Sequence, residues 1–178
     1  MKNQKRIVTF FIFLGVFSAS YLIGSQSEVS QEDALTFQEE FNDLIGDIDG
    51  IGIFFHNAIV AVPMFIPGFG IAWGVFSAWQ TGQAFAALAI VNPIISDIHP
   101  LAILYASPFG IMELVAYSIA MSRSTLSIHK IIKKISIKSD YKIIGIEVGI
   151  VLGLLIAGGF LEAYMIGYVE ESDLVMGI

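Results

Sequence analysis

Five apolar blocks divide this chain, at about residues 7–24, 51–67, 70–91, 101–121 and 143–168, and the polar stretches between them differ sharply in length and charge. A hydrocarbon core ~30 Å thick takes about 20 apolar residues in a helix to cross, which is the length of most of these blocks. The second block is shorter, and Pro63 and Pro67 interrupt it, so on its own pattern it could also dip in and return. Between the first two blocks the periodicity is that of an amphipathic helix over residues 29–48. Phe37, Phe41, Leu44, Ile45 and Ile48 share one face, while Glu32, Asp33, Glu39, Glu40, Asp43 and Asp47 occupy the others. Ser30 followed by Asp33 is a helix N-cap signal.

Charge orders the blocks. All nine basic residues fall in two clusters, Lys2–Arg6 and Arg123–Lys142, and the 116 residues between them hold none. Positive charge stays on the cytoplasmic side of multi-spanning proteins. If the second block only dipped into the bilayer, the Lys-rich stretch at 122–142 would land outside. The charge pattern therefore predicts that it crosses, turning at Pro67–Gly70. The expectation is an all-α polytopic transmembrane bundle of about five spans. It has a cytoplasmic N-terminus, an external amphipathic helix, a cytoplasmic basic loop at 122–142 along the headgroups, and an external C-terminus. Twelve of the sixteen carboxylates then lie outside. The first block reads as a retained anchor, because its apolar run continues through Tyr21, Leu22 and Ile23. The alternative is a cleaved leader with a small-residue site at Ser18–Ser20.

Composition agrees: 56% hydrophobic, 14% charged, mean hydropathy +0.77. The chain has no Cys, which excludes disulfides, thiolate chemistry and Cys-based metal sites. The acidic external helix lacks the basic face that seeks anionic lipid, so the bundle itself or a partner is its expected contact. No nucleic-acid surface is evident.

Within the blocks, small residues recur every fourth position: Gly70, Gly74, Ala78, Gly82 and Ala86 in the third, and Gly145, Gly149, Gly153 and Ala157 in the fifth. Such ridges let helices approach closely, either within a bundle or against a partner's helix or a second copy of the chain. Three carboxylates fall inside apolar blocks, where charge is costly and marks structure or function. Glu113 lies ~18 Å from the external end of its block and Glu162 ~8 Å, a difference that argues against a shared proton. Glu147, close to Lys142, reads as a boundary residue. His56 and Asn57 in the second block complete the intramembrane polar candidates; a neutral His hydrogen-bonded across helices is the ordinary reading. His99 and His129 fall on opposite sides of the predicted topology, so no His-rich metal centre is expected. No phosphate-binding Gly-rich loop, helical His pair or nucleophile elbow is present, and for a protease pairing such as Ser77 with His56 the sequence offers nothing beyond their coexistence. The expectation is a non-enzyme without cofactor or metal.

Several strings in order resemble the stage II sporulation protein M family of bacterial and archaeal membrane proteins. "IFFHNAIVAVPMFIPG" and "GVFSAWQTGQAFA" resemble its second and third spans. "SPFGIMELVAYSIA" matches its Pro-His-Gly-x-x-Glu segment at Pro108, Gly110 and Glu113, and "AGGFLEAYM" resembles its last-span motif, with Glu162 as the acidic residue. Phe109 stands where the family has His, and His56 where many members have a first Asn. A role for that missing His does not carry over, whereas Glu113, Asn57 and Glu162 do. The resemblance implies a membrane scaffold or accessory subunit of a membrane protein complex; in sporulating bacteria such a protein anchors peptidoglycan-remodelling machinery. The alternative function is a small transporter or permease-like subunit using Glu113, His56 and Glu162.

Overall fold

The computed structural model describes residues 2–45 and 49–176, and among them the secondary structure is entirely helical. The elements are α1 (Lys2–Gly24), α2 (Gln31–Ile45), α3 (Gly50–Ala61) with a 3₁₀ turn at Val62–Phe65, α4 (Phe69–Val91), α5 (Pro93–Ser96), α6 (Pro100–Ala106), α7 (Pro108–Ile132), a 3₁₀ turn at Lys138–Asp140, and α8 (Tyr141–Met176). Two stretches, Gln4–Gly24 and Lys138–Tyr168, are long and apolar enough to cross a membrane; the α6–α7 pair is a third candidate if its 89° bend is counted within one span. Gly50–Phe65 is shorter. α4, although 23 residues long, is not among these candidates.

Helix starts follow their capping residues. Ser30 accepts from Asp33 N at 3.1 Å and donates to the Asp33 carboxylate, closing the predicted cap of α2. The predicted extension of this helix through Asp47 and Ile48 lies outside the described residues. Asp49 caps α3 through Gly52 N at 2.8 Å. Ser107 accepts from Gly110 N at 3.1 Å, and Pro108 fills the first helical position of α7. That start signal splits the predicted fourth span: residues 101–121 are not one helix but α6 and the first half of α7, set at 89°. The predicted basic loop at 122–142 is corrected in the same way, since α7 stays helical through Ile132 and α8 begins at Tyr141.

The core forms where α1, α3, α4, α7 and α8 meet. Phe13, Phe17 and Tyr21 of α1, Met64, Ala78, Leu114, Ala120 and Met121, and Val151 and Leu155 of α8 are all buried. Their burial carries the packing, at about 1.5–3 kcal/mol for each large apolar side chain in an aqueous reference. α1 and α4 run parallel: Ser20 Oγ donates to Val75 O at 2.9 Å, while further along Gly82 abuts the Tyr21 carbonyl and Gly24 that of Trp79. α7 and α8 run antiparallel, with Arg123 at Glu147 and Met112 at Gly158. α3 runs alongside α7 in the same direction, from Asn57 at Glu113 to Ile66 O, which accepts from Ser124 Oγ at 2.6 Å. The turn into α4 needs Gly68, whose φ of 81° is open to glycine and strained for other residues; its N–H donates to Ser124 Oγ at 3.0 Å. α2 packs its apolar face on α4, burying Ala34 completely and stacking Phe37 on Phe41.

The two small-residue ridges have different fates. Gly70, Gly74, Ala78, Gly82 and Ala86 are buried, and an added Cβ at Gly70, Gly74 or Gly82 would run into Met64, Met121 or Tyr21. Gly145, Gly149, Gly153 and Ala157 do not pack within the chain: all four are exposed, and no atom lies within 4 Å of where a Cβ would stand on the three glycines. The reason is rotational. The buried stripe of α8 is Glu147, Val151, Leu155 and Gly158–Gly159, and a two-residue offset from 145 to 147 is about 200° around a helix. Gly159 makes the close approach instead, to the backbone of Gly50 and Phe54 on α3.

Candidate functional site

The break at Ser107 moves Glu113. Counted from Pro108, it sits about 8 Å along α7 rather than deep in a continuous span. This overturns the depth argument that separated it from Glu162. Glu113, Glu162, His56 and Asn57, the four intramembrane polar candidates, all line one cavity of about 270 Å³ bounded by α1, α2, α3, α4, α6, α7 and α8.

Inside it, an ordered chain of hydrogen bonds joins α3 to α7. Tyr117 Oη donates to Asn57 Oδ1 at 3.1 Å, and Asn57 Nδ2 donates to Glu113 Oε1 at 2.7 Å. Asn57 is 8% exposed and Tyr117 is buried and stacked on Phe17 of α1, so the carboxylate is held by groups that are themselves fixed. Asn57 suits this place because its amide presents a donor to Glu113 and an acceptor to Tyr117 at once. Glu162 enters from α8 and His56 from the exposed side of α3. Ser77 and Thr81 supply hydroxyls; Thr81 Oγ1 is already committed to Ser77 O at 2.9 Å. Phe41 of the acidic α2 helix also lines the cavity. Among the described residues no Lys or Arg lines it. Ser77 and His56 share the lining without a hydrogen bond between them, so no nucleophile–base pair is assembled. No group of three or more His, Asp and Glu among the described residues is placed to hold a metal ion. His99 instead caps α6 through Leu101 N at 3.3 Å. Such a cavity, lined by two carboxyl groups, can receive a cationic group.

Beyond Tyr117 and Glu113 the next layer is Met64, Ala120, Met121, Val151 and Leu155, of which none is more than 1% exposed. Past that layer lies a second polar centre that the sequence reading missed. Glu147, read as a boundary residue, is buried and pairs with both Arg6 of α1 and Arg123 of α7; Arg123 also lies 3.8 Å from Asp140, which Lys130 engages. Arg123, expected at the headgroup surface, is 3% exposed. The available signal is a lone carboxylate, Glu147, within an apolar run and an arginine, Arg123, two residues past the end of another; the continuation of α7 as helix through Ile132 brings the two together.

Comparison of the chain with protein-family models, with curated proteins and with solved structures finds no match in any of the three.

Proposed function

We propose that this chain is a five-crossing integral membrane protein that serves as a non-catalytic scaffold or accessory subunit of a membrane complex, similar in kind to the stage II sporulation protein M family. α1, α3, α4, α7 and α8 as the crossings, with α2, α5 and α6 external, supports an alternating up-and-down path that keeps the segregated basic residues on one side. The observation that carries the scaffold reading is the buried apolar packing of Met64, Ala120, Met121, Val151 and Leu155 between the two polar centres, none more than 1% exposed. The unpacked outer face of α8 and the acidic α2 helix are the surfaces such a subunit would offer.

A second reading, a small transporter or permease-like subunit, is favoured by one fact: Glu113, Glu162, His56 and Asn57 converge on a single cavity. The two separate cleanly. Affinity purification in mild detergent should recover a stable foreign membrane partner, while Glu113→Gln reconstituted in vesicles should show the same proton and cation leak as the wild type. A pure homo-oligomer whose cation flux vanishes in Glu113→Gln would replace the scaffold with the transporter.

A further inference from the structure

The centre around Glu147 carries more positive than negative charge. Arg6, Arg123 and Lys130 face Glu147 and Asp140, leaving one positive charge uncompensated. Arg123 Nη2 is buried and has no hydrogen-bond partner among the described residues, an arrangement that ordinarily costs more than the bond it forgoes. Beside this centre a groove of about 470 Å³ opens between α1, α7 and α8. Its walls are Ile7, Phe10, Phe11 and Ile119; its polar end is Arg6, Ser122 and Glu147. The Glu147 carboxylate is already engaged by two guanidiniums, and Arg6, 39% exposed at its side chain, is the cation that lines the groove. Ile7 and Phe11 are more than half exposed, so the apolar wall is open to whatever surrounds the bundle.

We infer that this groove is a binding site for one anionic phospholipid, its phosphate headgroup at Arg6 beside the Arg123–Glu147 pair and an acyl chain along Ile7, Phe10, Phe11 and Ile119. Charge complementarity selects the headgroup: a phosphodiester lipid with net negative charge neutralises the excess, and a zwitterionic lipid does not. The apolar wall selects a lipid over a free anion. The inference rests on the membrane reading above, with this end of the bundle at headgroup depth.

The test is native mass spectrometry of the full chain from nonionic detergent micelles doped with equimolar phosphatidylglycerol and phosphatidylcholine of the same chain length. Single-lipid adducts should favour phosphatidylglycerol about fivefold, the preference one basic contact gives at an anionic headgroup. Arg6→Ala should bring that ratio close to one. Phe11→Ala, at an exposed position that the fold does not depend on, should lower adducts of both lipids without changing their ratio. Equal binding of the two lipids by the wild type, or an unchanged ratio in Arg6→Ala, overturns the inference. So does displacement of phosphatidylglycerol by millimolar inorganic phosphate, which would make the site a free-anion site. Flotation with vesicles after a carbonate wash is measured on the same preparation. A chain that does not float refutes the membrane reading, and one that floats without lipid preference refutes this inference alone.

Discussion

Removing Glu147 should be far more damaging than removing the exposed charge of Arg6 beside it. In Glu147→Ala the Arg123 guanidinium, 3% exposed, loses its carboxylate partner and keeps Asp140 alone, at 3.8 Å. Breaking a buried pair from one side costs about 3–5 kcal/mol, because the remaining charge stays desolvated. Arg6→Ala acts on the same carboxylate from a side chain that is 39% exposed, and Glu147 retains Arg123, so its cost should stay within about 0–1 kcal/mol. The double replacement Arg123→Met with Glu147→Leu removes both buried charges and should recover most of the loss, since apolar substitutes for a buried pair are often neutral or better. Equilibrium unfolding in mixed micelles, followed by far-UV circular dichroism, measures all three. Added salt should leave the Glu147→Ala effect unchanged, as buried pairs are poorly screened. A Glu147→Ala cost no larger than that of Arg6→Ala would refute the placement of this pair inside the bundle.

Glycines on the two ridges should respond oppositely: Gly82→Ala, driven against the Tyr21 carbonyl, should destabilise by about 1–3 kcal/mol, while Gly149→Ala, in open space on a helix, should stabilise by about 0.4–1 kcal/mol in the same unfolding assay. Asn57→Ala strands Glu113 and Tyr117 together and should cost about 1–3 kcal/mol, whereas Tyr117→Phe, which leaves the Asn57–Glu113 bond intact, should cost about 0.5–1.5 kcal/mol; equal losses in the two variants would contradict the shared role of Asn57. In intact cells, a membrane-impermeant maleimide should label Glu32→Cys and spare Lys133→Cys in this Cys-free chain; labelling at 133 sinks the proposed orientation.

Periodicity and capping chemistry made α2 readable, because its apolar face and its Ser30–Asp33 cap are both local. The α4 ridge was readable for a similar reason, since small residues every fourth position line up whatever they face. The α8 ridge shows the limit of that argument. Spacing reveals that a stripe exists, but which side of a helix turns inward depends on what the neighbours bring, and Arg123 pulled the Glu147 side of α8 into the core. The same limit hid the convergence of Glu113 with Glu162. A depth measured along an unbroken helix hides it, because Ser107 and Pro108 are a helix-start pair that resets the count. The four polar residues themselves stood out because a polar side chain within an apolar run is conspicuous before its partners are known.

The parallel seam between α1 and α4 has a consequence for how the chain is made. Gly24 and Gly82 each press against the other helix's backbone, and Ser20 bonds to Val75 across 55 residues of sequence. Neither neighbour in sequence can stand in for this partner, so α1 leaves the ribosome long before its mate exists. On the proposed membrane arrangement, Phe13, Phe17 and Tyr21 face lipid until α4 is made, and Ser18 Oγ donates meanwhile to Leu14 O at 2.8 Å within its own helix. On that arrangement assembly is gated by synthesis of α4: a chain arrested before about residue 90 has α1 but no complete seam for it to join.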